Sequence, residues 1–306
     1  MTAAVAFPDS SIHFYNLETQ KWTSNVLQNI QMIGIQSLCW KGDSPNTLAV
    51  SCVNGVFIWN ITKLENESRC SCRQILNTPN VLRAEFSPNG QFLCVFSCDS
   101  SDVQVLDTLT YSHLTSLGSI QCLPVKILFS PDSIVLVVEN SDNTVSIYNT
   151  LTWKKETWKM HTQATIIDVA FSSNSEFLYL LCAIDSSSVI YTLQISHNLN
   201  ILYTTMTENI LMVPGEQEGL PRATRMCVDH RGRRLVCSHS DSNILSLYRI
   251  DNSCQMYLIG FITNPIKENA VQEMSFVESD LRGSILNVMW KSGHLLCYHL
   301  LYWSVS

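Results

Sequence analysis

Two carboxylates within apolar, strand-like segments are the residues whose type and position suit catalysis. Glu85 and Asp168 each lie inside a segment whose alternating pattern predicts an inner strand of a sheet. If the two inner strands line one central channel of the fold, their carboxylates could act together as general acid and base in hydrolysis. The alternative, which we favour, is that both are solvated side chains that line the channel.

The histidines do not have the spacing of a metal site. His294 and His299 are five residues apart in strand-like sequence, and an odd separation directs them to opposite faces of a strand. His230 and His239 flank a turn and a strand, where we also favour a structural interpretation. We therefore predict no metal ligands.

The chain contains 12 cysteines, most of them inside apolar segments. Cys70 and Cys72 are the closest pair, and no C-x-x-C motif occurs. This pattern favours reduced, buried thiols of an intracellular protein over disulfides or a zinc site.

Composition and missing motifs argue against enzymes and nucleic-acid binding. The sequence has no phosphate-binding glycine loop, no H-E-x-x-H and no G-x-S-x-G. Net charge is −7, only 15% of residues are charged, and no long basic run occurs. The short basic cluster of Arg231, Arg233 and Arg234 is interpreted as a solvated turn. We predict a protein that is not an enzyme, has no cofactor and does not bind nucleic acid directly.

One sequence pattern recurs along the chain. It consists of an apolar strand that ends in an aromatic or apolar residue, then a turn, then a second apolar strand. The closing residues lie 46, 43, 42, 57 and 48 positions apart. They are Trp40, Phe86, Phe129, Phe171, Val228 and Phe276.

A second series runs in step with the first. It is a short strand with an aromatic or apolar residue near its end, and it occurs seven times. Its copies include Trp59, Leu106-Asp107, Tyr148, Tyr191, Tyr248 and Tyr298. A period of about 40 to 45 residues with several strands per unit is typical of propeller blades. The sequence therefore predicts an all-β, seven-bladed WD40-type β-propeller.

The predicted blades form a single domain over residues 1–306. Their bounds are near 1–30, 35–76, 81–117, 123–158, 165–205, 223–262 and 270–302. The first blade is expected to lack its inner strand and the last its outer strand, so the closure seam is incomplete. The long interval before Val228 indicates an insertion at the rim, over residues 195–220.

The tryptophans mark the predicted core and two candidate binding residues. Trp40, Trp59 and Trp290 stand at strand ends of the repeat, where we expect them to be buried. Trp153 and Trp158 lie in the segment predicted to form an outer strand, residues 153–158, near the edge of a blade, where exposed aromatics can anchor a partner. The alternative for these two, packing between blades, is slightly favoured. Trp303, which lies beside Tyr302 in the C-terminal tail, is expected to help hold the seam.

Several of these segments resemble the aladin family of WD-repeat nucleoporins. The order and spacing of the motifs agree over nearly the whole chain. The matching segments are residues 35–40, 48–52, 58–59, 153–158, 189–193, 282–294 and 301–302. The family has an additional N-terminal segment and a polar C-terminal tail, so this chain is expected to be a partial or short form.

The resemblance implies a function that composition and spacing do not. It implies a scaffold of the nuclear pore complex that supports protein import. Its partners would be other nucleoporins, including a transmembrane nucleoporin of the pore membrane, and it would reach the membrane only through that partner. A further role at the mitotic spindle or centrosome is also implied. The alternative is another WD40 adaptor, such as the substrate receptor of a ubiquitin ligase.

Overall fold

The computed structural model describes most of the chain, in antiparallel sheets that follow one another along the sequence. The exceptions are residues 1, 18, 20, 43, 65–66, 119–121, 161–162, 185–186, 196–200, 208–221, 252–253, 265–269, 279–282 and 303–306. Each sheet is an up-and-down meander in which every strand pairs with the next.

The first three sheets, named blades 1 to 3, lie in the first part of the chain. Blade 1 consists of β1 (Thr2–Ala6), β2 (Ile12–Asn16) and β3 (Lys21–Leu27). Blade 2 consists of β4 (Ile35–Lys41), β5 (Ser44–Cys52), β6 (Gly55–Leu64) and β7 (Glu67–Leu76). Blade 3 consists of β8 (Val81–Phe86), β9 (Phe92–Ser97), β10 (Asp102–Asp107) and β11 (His113–Gly118).

Blades 4 and 5 have four strands each. Blade 4 consists of β12 (Pro124–Phe129), β13 (Val135–Asn140), β14 (Thr144–Asn149) and β15 (Lys155–Lys159). Blade 5 consists of β16 (Thr165–Phe171), β17 (Phe177–Ile184), β18 (Ser187–Ile195) and β19 (Ile201–Thr207).

Blades 6 and 7 complete the described chain. Blade 6 consists of β20 (Ala223–Val228), β21 (Arg234–His239), β22 (Ile244–Ile250) and β23 (Met256–Thr263). Blade 7 consists of β24 (Val271–Glu278), β25 (Gly283–Trp290) and β26 (Leu295–Leu301). Seven consecutive sheets of this kind are the blades of a β-propeller, so the predicted fold class is confirmed.

The first and last blades have three described strands, whereas the other five have four. The predicted insertion at 195–220 includes β19, and residues 196–200 and 208–220 of it lie outside the described part of the chain. The residues form two compact units, 1–146 and 147–306, with the boundary inside β14.

Consecutive residues of the middle strands belong to different apolar clusters in the first unit. On β6, Phe57 and Trp59 pack into a cluster with blade 1, while Val56 and Ile58 pack into a cluster with blade 3. Side chains alternate across a strand, so this sheet is apolar on both faces. Each face is buried by a neighbouring blade.

The second unit repeats this arrangement. On β21, Leu235 and Cys237 pack against blade 5, and Val236 between them packs against blade 7. All six residues of this strand are buried. The burial on both faces explains why the sequence shows continuous apolar runs at these positions.

Trp290 ends β25 and is completely buried in the cluster between blades 6 and 7. Leu286 and Val288 precede it at alternate positions and face the same cluster. Trp290 is the largest of the fully buried side chains. The apolar contacts of blade 7 with blade 6 therefore depend strongly on this ring.

The substitution Trp290→Ala is expected to lower the free energy of unfolding by about 3–5 kcal/mol, because it leaves a cavity where the indole packs. Urea titration followed by circular dichroism measures the loss. Leu109→Ala is the control, because Leu109 is 89% exposed and its truncation should change stability by less than about 0.5 kcal/mol. Equal midpoints for the two variants would show that the indole is not a core group.

Candidate interaction surfaces

Most of the aromatic residues at the predicted repeat positions lie in the core. Trp40 and Phe276 are half-buried, and the others are buried. The buried set is Trp59, Phe86, Phe129, Tyr148, Phe171, Tyr191, Tyr248 and Trp290. These side chains are structural and do not present a binding surface.

Asp107, the acidic residue at a repeat position, stabilises its own turn. Its carboxylate accepts hydrogen bonds from the backbone N–H and the hydroxyl of Thr110, at 3.0 and 2.8 Å. The hydrogen bond from the Thr110 hydroxyl is the main reason that the pKa of Asp107 is lowered. The residue therefore acts within one loop.

Of the two candidate anchor tryptophans, one lies on a strand and the other in a turn. Trp158 lies on β15, but Trp153 precedes this strand and adopts φ of 54° in the turn after β14. The side chain of Asn149 accepts the N–H groups of Leu151 and Thr152 and builds this turn. Both indoles are half-buried, and their role as partner anchors stays a prediction.

The favoured interpretation of Asp168 as a solvated residue is wrong. The side chain is buried, and its carboxylate accepts the N–H of Val169 at 2.9 Å and that of Met226 at 2.7 Å. Asp168 on β16 thereby links blade 5 to β20 of blade 6. Sequence analysis missed this role because Met226 is distant along the chain.

Glu85 differs from Asp168 in its surroundings. Its carboxylate is partly exposed and pairs with the guanidinium Nε of Arg83, two residues earlier on β8, at 3.2 Å. Among the residues that the structure describes, no group of three or more His, Cys, Asp or Glu side chains has the geometry to hold a metal ion.

The turns between the first and second strands of blades 3 to 5 share one hydrogen-bonded motif. In each, a serine hydroxyl donates to an Asn or Asp side chain two residues on and accepts the N–H five residues on. The serines are Ser87, Ser130 and Ser172. The motif explains the recurrent Ser-Pro and Ser-Ser turns of the sequence.

In blade 6 an aspartate replaces this serine. One carboxylate oxygen of Asp229 accepts the N–H groups of Arg233 and Arg234, at 2.7 and 3.0 Å. Its other oxygen accepts a hydrogen bond from the hydroxyl of Tyr302, which follows β26. The additional oxygen thus connects the turn of blade 6 to the end of blade 7.

The basic cluster is a solvated turn at Arg231 and Arg233, which are exposed, as predicted, but not at Arg234, which is buried at the start of β21. The guanidinium carbons of Arg231, Arg233 and Arg234 lie 5.2, 5.9 and 5.7 Å from the ring centroid of Tyr302. Arg234 is buried and also donates to the carbonyl of Leu301, at 3.2 Å. Burial, and next the hydrogen bond to Asp229, raise the pKa of Tyr302 to about 12.

The outer strand of blade 6 is unusually apolar for an edge. On β23 the side chains of Tyr257, Leu258, Ile259 and Phe261 are exposed. By contrast, β15, the outer strand of blade 4, has the sequence Lys-Glu-Thr-Trp-Lys. Natural sheet edges are normally protected by charge, so β23 is a candidate surface for protein binding.

Blade 1 contributes an aromatic surface and a cavity. Trp22 is exposed and lies 5.9 Å from the ring of Phe7 and 5.2 Å from that of Tyr15. On the opposite face, a cavity of about 510 Å³ lies between blades 1 and 2, with Phe14 and Trp40 in its wall. The exposed aromatics of this blade are a second candidate surface.

Comparison with solved structures agrees with the fold. The β-propeller domain of Cps50 (Swd1) from Myceliophteria thermophila superposes with a TM-score of 0.71, covering 98% of this chain and 93% of that one, at 14% identity. The chain is thus a WD40-type β-propeller by fold.

In sequence, the chain is similar to Aladin of Arabidopsis thaliana. The two are 23% identical over 309 residues, which cover 90% of this chain and 68% of that protein. No protein-family model matches the sequence. The fold and this similarity favour a non-enzymatic scaffold, either a nucleoporin or another WD40 protein.

The part of the chain that the structure describes contains no helix with the length and apolar character to cross a bilayer. All of its cysteines are free thiols. Burial raises the pKa of Cys52 to about 12, so its thiolate is not populated near neutral pH.

Replacing Asp168 by alanine is expected to cost about 1–3 kcal/mol of stability, because the buried N–H of Met226 loses its acceptor. Glu85→Ala is the matched control; its carboxylate is partly exposed, and we expect a change below about 0.5 kcal/mol. Chemical denaturation of the three proteins measures the difference. The structural role is refuted if Glu85→Ala is the more damaging change.

The phenol of Tyr302 is expected to contribute about 1.5 kcal/mol through its hydrogen bond to the Asp229 carboxylate. Tyr302→Phe removes only this hydroxyl. In the control, Tyr257→Phe, the exposed Tyr257 loses its hydrogen bond to Asp251 at 3.3 Å, and stability should change little. Thermal unfolding of both variants is the measurement, and equal shifts would contradict the special role of Tyr302.

Proposed function

We propose that this protein is a scaffold of the nuclear pore complex that supports protein import by binding other proteins. The observation that carries the proposal is the similarity to Aladin, which extends over 90% of the chain. The proposal includes a location at the nuclear envelope in interphase. A role at the mitotic spindle or centrosome belongs to the same proposal.

The surfaces of the protein support a binding function. Its carboxylates Asp168 and Asp229 are engaged in backbone hydrogen bonds, which position strands and turns. Several exposed apolar side chains lie on outer strands, four of them on β23, where a partner can bury them. Sheets with such edges suit a scaffold.

The proposed partners are other nucleoporins, among them a transmembrane nucleoporin of the pore membrane. Such a partner would hold the scaffold at the nuclear envelope by protein–protein contacts alone. The apolar character of β23 supports this mode of attachment, because a protein interface buries apolar side chains at its centre.

Fluorescence imaging of the tagged full-length protein tests the location. We expect a punctate rim at the nuclear envelope that coincides with a pore marker, because the scaffold is held by pore components. The free fluorescent tag is the control and should be diffuse. A diffuse signal from the fusion protein in interphase cells would contradict the proposal.

Affinity purification distinguishes the alternative adaptor function. Recovery of pore-membrane nucleoporins in stoichiometric amounts supports the nuclear-pore scaffold. Recovery of ubiquitin-ligase subunits without nucleoporins would assign the protein to the other class of WD40 adaptors.

A further inference from the structure

We infer that the loops at one end of blades 2 to 4 bind a short segment of a partner protein that carries large apolar side chains flanked by lysine or arginine. The inference deepens the proposed function in protein binding and rests on it. It specifies a docking surface separate from β23 and the chemistry of the segment that binds there.

The directions of the strands bring six loops to one end of these blades. Consecutive strands are antiparallel, so the first and third strands of a blade begin at the end where its second and fourth strands finish. The loops that precede β4, β8 and β12 therefore lie beside the turns that follow β5, β9 and β13. The six segments are residues 28–34, 53–54, 77–80, 98–101, 119–123 and 141–143, of which 119–121 lie outside the described part of the chain.

Backbone hydrogen bonds hold these loops in place. The N–H of Val53 donates to the carbonyl of Ile33 at 3.0 Å, and the N–H of Asn80 donates to the carbonyl of Val53 at 2.6 Å. This series connects the turn of blade 2 to the start of blade 3. In blade 4 the N–H of Ser141 donates to the carbonyl of Leu123 at 2.9 Å, again from the turn to the loop. Because the loops are ordered before a ligand binds, the entropic cost of binding is small.

A β-bulge near the start of the inner strand exposes an apolar side chain in blades 3 and 4. The register of β8 with β9 shifts at Leu82, and that of β12 with β13 shifts at Val125. The extra residue of a bulge has no cross-strand partner, and both side chains are exposed. The corresponding bulges of blades 6 and 7 carry the polar residues Thr224 and Gln272. The fold therefore does not require an apolar residue at this position.

Six large apolar side chains are exposed at this end, with exposed fractions from 37% to 98%. We call them the loop surface, and they are Ile30, Ile33, Val53, Leu82, Leu123 and Val125. At the opposite end of the same blades, the described turns expose only Leu109 and Leu151 to this degree. Blades 2 to 4 have four strands each, so no absent strand accounts for the exposure. Exposed apolar groups concentrated in this way mark a site of protein interaction.

The charges of the loops define the flanks of the occupant. The six segments contain Asp99 and Asp142 but no lysine or arginine. Both aspartates are exposed. The carboxylate of Asp99 accepts a hydrogen bond from the amide nitrogen of Asn80 at 2.7 Å, and that of Asp142 accepts one from the hydroxyl of Thr144 at 2.6 Å. These fixed negative charges beside apolar groups favour a partner segment with positive charges beside its apolar residues.

The cations that follow the two bulges do not cancel this charge. The guanidinium of Arg83 pairs with the carboxylate of Glu85 at 3.2 Å. Lys126 stands opposite Glu139 in the register of β12 with β13. Each cation is thus matched by a carboxylate of its own blade.

A second copy of the chain fits the loop surface less well than a basic segment does. Pairing of two loop surfaces would bring Asp99 and Asp142 of both copies into one interface, where like charges repel. A partner segment with lysine or arginine beside its apolar residues complements both the apolar groups and the charge. We therefore assign the surface to a partner protein.

Selection from a random-peptide phage library on the full-length protein tests the assignment. We expect the selected peptides to carry at least about two large apolar residues with lysine or arginine beside them. Fluorescence anisotropy with synthetic copies of these peptides measures their affinity. Ile33→Ser with Leu82→Ser should weaken binding at least about tenfold, because apolar contacts are lost. The matched control, Leu109→Ser with Leu114→Ser, changes exposed leucines of blade 3 outside the loop surface and should preserve the affinity.

Asp99→Asn with Asp142→Asn tests the charges separately, because the amide oxygens keep the acceptors and only the charges are lost. We expect affinity for the same peptides to fall about tenfold at low ionic strength, and its dependence on salt to become weaker. Thermal unfolding of each variant checks that the fold is retained.

The other outcomes each refute the assignment. Selected peptides that are acidic or uncharged, a selection without binding peptides, or equal losses in the serine variant and its control would each contradict it. A dimer in sedimentation that the serine substitutions dissociate would mean that a second copy occupies the surface. A protein that locates to the nuclear rim but selects no such peptide refutes only this inference. Binding of the expected peptides by a protein that is absent from the rim refutes the nuclear-pore function and leaves the docking surface in place.

Discussion

The burial of two apolar faces on each sheet is the constraint from which the rest of the structure follows. A middle strand such as β21 is buried on both sides, so its blade needs a neighbour on each side. An isolated sheet of this composition would expose both faces to water. The repeat of the sequence therefore reflects a repeat of packing.

Polar groups in this protein mainly serve the same packing. Asp168 satisfies a backbone N–H of the next blade, and the serine motif orders the turns that precede the buried second strands. At Asp229 the motif has a second acceptor oxygen, which accepts a hydrogen bond from the hydroxyl of Tyr302. A change of one residue type thus converts a local turn into a contact between two blades.

The fold was predictable because its signal is periodic. Closing residues such as Phe86 and Phe129 recur with each blade, and they need no knowledge of distant contacts. The partners of Asp168 and Arg234 were not predictable, because each residue contacts a segment far away in the sequence. Trp153 was misplaced because the Asn149 turn, a local feature, takes it off the strand.

The apolar edge of blade 6 could have been found from the sequence. The run Met-Tyr-Leu-Ile-Gly-Phe-Ile-Thr stands where the other repeats place polar residues, as in Lys-Glu-Thr-Trp-Lys. From periodicity alone, such an apolar run would be predicted to lie in the core. Only the pairing of β23 as an outermost strand shows that its side chains face solvent.

These surfaces favour a function in protein binding, and the outer strand β23 of blade 6 is the most specific candidate among them. Electron cryo-microscopy of the protein in its native assembly tests it most directly. The account predicts that the exposed apolar side chains of β23 are buried against another polypeptide in that assembly. A map in which β23 borders solvent while the partner contacts other blades would contradict it.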